Sequence, residues 1–165
     1  MFKTLILIRH SKSEDRTPSV SDFDRPLTEE GRADSLKMAN LLLKSGYKPD
    51  FILGSSAVRA SQTAEIFSKV LNIKDTSLLR SLYYCSAKNI VDHIVGLPDK
   101  LECVIVIGHN PGISDLVRGL SSGRAFYLDN THVIILEYEI DKWHQVGDNK
   151  PVVFQNHRVT DKPVH

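Results

Sequence analysis

Unbroken apolar runs alternate along the chain with stretches in which apolar residues recur every three or four positions. Thr4 to Ile8 is a run rich in leucine and isoleucine, the pattern of a strand buried on both faces of a parallel sheet. It ends in charge at Arg9-His10. Ser11 to Pro26 is polar, with Pro18, serines and aspartates, which predicts a long surface loop above the end of that strand. Thr28 before Glu29 and Glu30 reads as an N-cap with acidic first-turn residues, and Leu36, Ala39 and Leu43 carry a helix as far as Ser45-Gly46. Gly31 fits poorly inside that first turn. Phe51-Ile52-Leu53 is the next strand, with Ser55-Ser56 as the cap of a helix through Arg59, Ala60, Ala64, Phe67 and Leu71. Leu78-Leu79 marks a third strand, and Ser86 to Val95 a third helix with Ile90 and Ile94 on one face. Cys103 to Ile107 is a buried strand that stops sharply at Gly108-His109-Asn110-Pro111-Gly112. A short helix through Leu116, Val117 and Leu120 precedes a late strand from Val133 to Tyr138.

This alternation predicts an α/β fold, a single domain over residues 1–165 with a mostly parallel sheet and helices on both faces. After about Asp148 the chain turns polar, and a terminal hairpin or a loose tail is expected there. The 165 residues suffice for a core without disulfides or a structural metal, and 41% hydrophobic with 25% charged residues is a globular composition. With 21 basic and 20 acidic residues the formal charge is +1. Such a chain has no global field to draw it onto nucleic acid or an anionic membrane, so neither is an expected partner and any bound anion must be held locally. Cys85 and Cys103 are expected as reduced thiols. The five-residue apolar stretch near the N-terminus is too short for a signal-peptide core or a membrane span, so a cytoplasmic location is expected. A monomer is expected as well.

Candidate chemistry sits where three strands end: Arg9-His10, Ser55 to Arg59, and Gly108-His109-Asn110. In open α/β sheets ligands bind beyond the carboxyl ends of the strands, so these segments are expected to converge. Two arginines and two histidines would make an electropositive pocket, better suited to a phosphate dianion than to a divalent cation. No metal and no cofactor are expected. Taken singly, each segment also reads blandly: Arg9-His10 as a charged strand end, Arg59 as a solvated helix face. His93, His132, His144, His157 and His165 share no spacing or motif and read as surface or packing residues, as does Trp143.

The combination resembles the histidine phosphatase superfamily, with its phosphoglycerate mutase-like fold, and within it the short SixA-type phosphohistidine phosphatases. The resemblance rests on Leu7-Ile8-Arg9-His10-Ser11-Lys12-Ser13-Glu14, on Arg25-Pro26-Leu27-Thr28-Glu29-Glu30-Gly31, on Ser55-Ser56-Ala57-Val58-Arg59-Ala60-Ser61-Gln62-Thr63, and on Gly108-His109-Asn110-Pro111-Gly112. Two features depart from the family pattern. Ser11 replaces a common glycine after the first histidine, and Tyr84 stands where phosphomonoester-cleaving relatives often carry a glutamate acid.

The resemblance implies that His10 is the nucleophile, forming a phosphohistidine intermediate, with Arg9, Arg59 and His109 holding the phosphoryl group. Ser11 and Asn110 are candidate substrate-binding positions through their backbone N–H groups. Arg25 either touches substrate or braces the loop through Asp22 or Asp24. An attacking imidazole must be neutral, a state that neighbouring arginines favour. Without the glutamate, expulsion of an alkoxide loses a general acid worth roughly a hundred- to ten-thousandfold in rate. A phosphorylated imidazole can leave neutral without one. The expected partner is therefore a phosphohistidine-containing protein, such as a phosphotransfer domain. Alternatives are a phosphomonoesterase, using Glu14, Asp15, Asp22 or Asp24 as acid, a metal-dependent hydrolase, and a non-catalytic phosphate-recognition module.

Overall fold

A computed structural model describes residues 1–124 and 127–162, which leaves His165 outside the described residues. Six strands form one sheet in the order β3-β2-β4-β1-β5-β6: β1 Lys3–Arg9, β2 Phe51–Ser55, β3 Asp75–Leu79, β4 Cys103–Gly108, β5 Val133–Tyr138 and β6 Val153–His157. The first four in that order run parallel, while β5 is antiparallel to both β1 and β6. After Asp148 the chain supplies one edge strand, β6, paired antiparallel with β5.

Period-two alternation divides the core. Leu5 and Leu7 point to the side of α3 (Ala87–Val95) and α4 (Gly112–Leu120), where Val104, Val106, Ile94, Val117 and Trp143 complete one cluster. Ile6 and Ile8 point to the side of α1 (Glu29–Lys44) and α2 (Val58–Leu71), packing with Met38, Phe67, Ile105 and Ile107. Trp143 is buried, as expected, and its Nε1–H donates to the Leu101 carbonyl at 2.9 Å. Both cysteines are free thiols. Among the described residues no helix is long and apolar enough to cross a membrane.

Thr28 caps α1, its hydroxyl accepting from the Gly31 amide at 2.9 Å. Gly31 has a packing reason to be there: a Cβ on it would sit 2.1 Å from the Lys12 carbonyl oxygen, so its absence lets the loop press against the first turn of α1. The expected Ser55-Ser56 cap of α2 is not found. Ala57 is the N-cap residue and makes no side-chain cap bond; Ser55 instead ends β2 with its hydroxyl against His109.

Candidate active site

Strand register brings the three candidate segments to one edge of the sheet. Arg9 is aligned with Gly108 across β1 and β4, and Gly54 with Ile107 across β2 and β4, so His10, Ser55 and His109 follow side by side. They meet in a cavity of about 410 Å³ lined by Arg9, His10, Lys12, Ser13, Asp15, Arg25, Arg59, Tyr84, His109, Asn110, Tyr127 and Asn130.

His10 lies at the floor, only 6% exposed. Its Nδ1 is 2.8 Å from the Ser11 carbonyl oxygen, which can only accept, so the ring proton sits on Nδ1 and the lone pair on Nε2. Burial pushes the His10 imidazole well below its ordinary value, helped by His109, Arg59 and Arg9 against the opposing pull of the Ser11 carbonyl. The neutral ring with an unprotonated Nε2 is therefore the resting form.

Arg59, 1% exposed, is held by several partners at once. Nε–H donates to His10 Nε2 at 3.4 Å, and the NH1 group donates to the Asp22 carbonyl at 2.7 Å. The NH2 group reaches Asp22 Oδ2 and the Tyr84 hydroxyl, both at 3.1 Å, and His109 Nδ1 at 3.4 Å. Asp22 belongs to the 3-10 turn Asp22–Asp24 of the long loop and also takes Arg25, whose NH2 group is 2.8 Å from Oδ1. Arg25 donates as well to the Glu14 carbonyl at 2.7 Å, so it braces the loop through Asp22 while lining the cavity. Burial alone would raise the Asp22 carboxyl, but hydrogen bonds from Tyr83 and Arg25 and the nearby Arg59 charge outweigh it and hold it far below the carboxylate range. It is fixed as a carboxylate, which removes it from the candidate acids.

His109, 3% exposed, places Nε2 at 2.8 Å from Ser55 Oγ. Since Arg59 can only donate to Nδ1, the proton of the neutral ring belongs on Nε2, donated to Ser55. Ser55 Oγ also accepts from the Ala57 amide at 3.1 Å. Burial, then Arg59, brings the His109 imidazole down to about 3, against the pull of Asp22. Both imidazoles are thus held neutral, and a charged His109 requires an anion beside it to raise its pKa again. The two rings lie 4.9 Å apart, centre to centre.

One expectation needs correction. Ser11 does not face the cavity: its amide donates to Thr63 Oγ1 at 3.1 Å and its hydroxyl lies among Ser35 and Thr131, the latter at 2.7 Å. Full burial inside this hydroxyl cluster leaves it nothing to offer a ligand, and its contribution is the carbonyl that orients His10. Asn110 does line the cavity, but its side chain is taken up by the Leu128 carbonyl, at 2.8 Å, and by the Ser114 hydroxyl. Arg9 donates to the same Leu128 carbonyl at 3.1 Å, and its buried Nε has no partner among the described residues.

Several contributors were not anticipated. Thr63 and Gln62 lie inside the quoted α2 motif, and the structure supplies their reason: Thr63 Oγ1 joins the Arg59 carbonyl to the Ser11 amide, and Gln62 Oε1 accepts from Leu27 at 2.8 Å. Asn130 and Thr131 carry no sequence signal. Asn130 donates to the His10 carbonyl at 3.1 Å, and the Thr131 amide to the Arg9 carbonyl at 3.0 Å. Thr131 holds φ at 60°, an uncommon backbone state for a β-branched residue.

Residues 5–84 match the family model described as "Histidine phosphatase superfamily (branch 1)". A candidate phosphohistidine phosphatase SixA from Nakamurella multipartitia has the same fold, with a TM-score of 0.79 and 21% identity, covering 94% of this chain and 96% of that one. A protein histidine phosphatase SixA solved with tungstate gives 0.77 and 23% identity, covering 94% of each chain. In sequence, an uncharacterized chloroplastic protein of Arabidopsis thaliana is 27% identical over 153 residues, covering 87% of this chain and 70% of that one. Residues 5–84 are thus similar to the histidine phosphatase superfamily, and nearly the whole chain shares its fold with the solved SixA proteins.

Proposed function

We propose that the chain is a phosphatase that takes a phosphoryl group from phosphohistidine in a partner protein onto Nε2 of His10 and passes it to water. The observation that carries this reading is the Nδ1 hydrogen bond of His10 to the Ser11 carbonyl, which leaves an unprotonated Nε2 among Arg9, Arg59 and His109. In the first step the Nε2 lone pair forms a bond to phosphorus while the substrate N–P bond breaks. Its electron pair stays on the departing ring nitrogen, and that imidazole leaves neutral because its other nitrogen keeps a proton. Arg9 and Arg59 balance the charge on the phosphoryl oxygens. In the second step a water oxygen bonds to phosphorus, the N–P bond to His10 breaks, and the free imidazole returns with inorganic phosphate as product.

The absence of a glutamate at Tyr84 and the tying up of Asp22 support a leaving group that needs no acid. A second reading, a phosphomonoesterase, is favoured by Asp15, a carboxylate that lines the cavity and is a candidate proton donor. Metal-free turnover of a phosphohistidine protein against a phosphoserine peptide and an alkyl phosphate tests the two. Preference for the N–P bond by at least tenfold in kcat/KM is expected; equal or better turnover of the alkyl ester, lost in Asp15→Asn, would give the second reading its acid.

A further inference from the structure

Two tyrosines stand at a cavity that is otherwise charged or polar. Tyr84 is 48% exposed and Tyr127 68% exposed, yet both line it. Their placement is constrained. Tyr84 holds φ at 46°, a left-handed conformation that costs an ordinary side chain of the order of 1 kcal/mol or more and persists only where surroundings over-determine it. The surroundings do so here. Its hydroxyl accepts from Arg59 at 3.1 Å, its ring lies 5.1 Å from that of His109 and 4.7 Å from that of Tyr83, and the Arg59 guanidinium sits over its face at 5.6 Å. Tyr127 precedes Leu128, which is gripped by Arg9, Asn110 and Ser114.

A strained, half-exposed aromatic ring locked beside the reacting imidazoles is poorly explained by packing. It buries little, and an aliphatic side chain would cover His109 as well. A flat ring on the ligand would explain it. Aromatic pairs at offset or edge-on geometry contribute beyond the area they bury, and a tyrosine face is available without further loss of side-chain freedom.

We propose that Tyr84 and Tyr127 form the leaving-group subsite, a pair of aromatic walls that select a flat aromatic ring attached to the phosphoryl group, an imidazole above all, over an aliphatic chain. This deepens the phosphatase reading and rests on it for the imidazole. Tyr84 is a specificity-determining residue through its ring, while its hydroxyl steadies Arg59.

The test separates ring recognition from catalysis by measuring binding of phenylphosphonate and methylphosphonate calorimetrically to the wild type, Tyr84→Phe, Tyr84→Leu and Tyr127→Ala. The wild type is expected to prefer the phenyl ligand by roughly two- to tenfold. Tyr84→Phe keeps that ratio, Tyr84→Leu brings it toward one while binding methylphosphonate as Tyr84→Phe does, and Tyr127→Ala brings it toward one without a matching loss for methylphosphonate. No preference in the wild type, or a ratio unchanged in Tyr84→Leu and Tyr127→Ala, overturns the proposal. Turnover of phosphohistidine against phosphoramidate, an N–P substrate without a ring, is read in the same variants. A preserved binding preference with no turnover of either would sink the phosphatase reading and leave the subsite standing.

Discussion

Arg59 Nε donates to His10 Nε2 across 3.4 Å, so a cation faces the nitrogen assigned as nucleophile. The contact keeps a proton off that lone pair and also covers it. Phosphorus must approach along the same line, so binding of the phosphoryl group exchanges this hydrogen bond for one from Arg59 to an equatorial oxygen. The pocket thus begins with its donor where the charge will develop.

That exchange makes His10→Ala the sharpest variant. The expected result is loss of at least a thousandfold in turnover with an unchanged circular dichroism spectrum, together with loss of the alkali-stable phosphoenzyme that quenching of the wild type traps. Label on a different residue in the variant would reassign the nucleophile.

Lysine cannot reproduce a guanidinium that reaches Asp22, Tyr84, His10 and His109 together. Arg59→Lys is expected to lower kcat/KM by roughly a hundred- to thousandfold, the range for removing one aimed donor. Loss of less than threefold would mean that Arg59 serves Asp22 rather than the phosphoryl group.

Acid should unfold this protein early. Burial lowers the imidazoles of His10, His109 and His132, so between their folded values and the ordinary 6.5 the unfolded chain binds more protons. The stability they contribute is fully present above about pH 6.5 and is lost as pH falls toward about 3, where His109 titrates. His109 adds a slope of up to about 1.4 kcal/mol per pH unit in that window, and His10 and His132 act in the same direction. Urea midpoints at pH 7.5, 6.0 and 5.0 should fall in that order; a flat series would mean that the rings titrate normally.

Two glycines carry backbone contacts that no other residue permits. A Cβ on Gly31 would meet the Lys12 carbonyl oxygen at 2.1 Å, and one on Gly112 the Cys85 carbonyl oxygen at 2.3 Å. Gly31→Ala and Gly112→Ala are each expected to cost about 1–3 kcal/mol. The loop ahead of Gly31 and the Tyr84-Cys85 turn would shift, so reduced phosphate affinity should accompany the lost stability; Gly119→Ala, in open space, is the control.

The layered core was legible because each face of β1 and β4 carries its own apolar set, and an alternating pattern of strand and helix has few ways to close. Arg9, His10, Arg59 and His109 stood out because register brings strand ends together irrespective of the chain between them. Ser11 was expected to offer its backbone N–H to a ligand; a sequence cannot show where an amide points, and here Thr63 Oγ1 takes it while Ser35 and Thr131 hold the hydroxyl. Asp22 was one of four acidic candidates on the loop; only the fold shows that it alone lies between Arg59 and Arg25. Asn130 and Thr131 belong to an undistinguished turn, and their role comes wholly from the strand that follows.

That strand, β5, runs against β1. Its reversed direction makes the segment entering it, residues 127–131, a wall of the pocket, whereas the connection leaving it toward β6 lies at the far rim of the sheet. Length changes should therefore have unequal results on the two sides of one strand. Insertions after Tyr138 would be felt as stability, while insertions between Leu120 and Tyr127 would alter which molecules are accepted, giving the fold a place to change its clientele without touching the histidines.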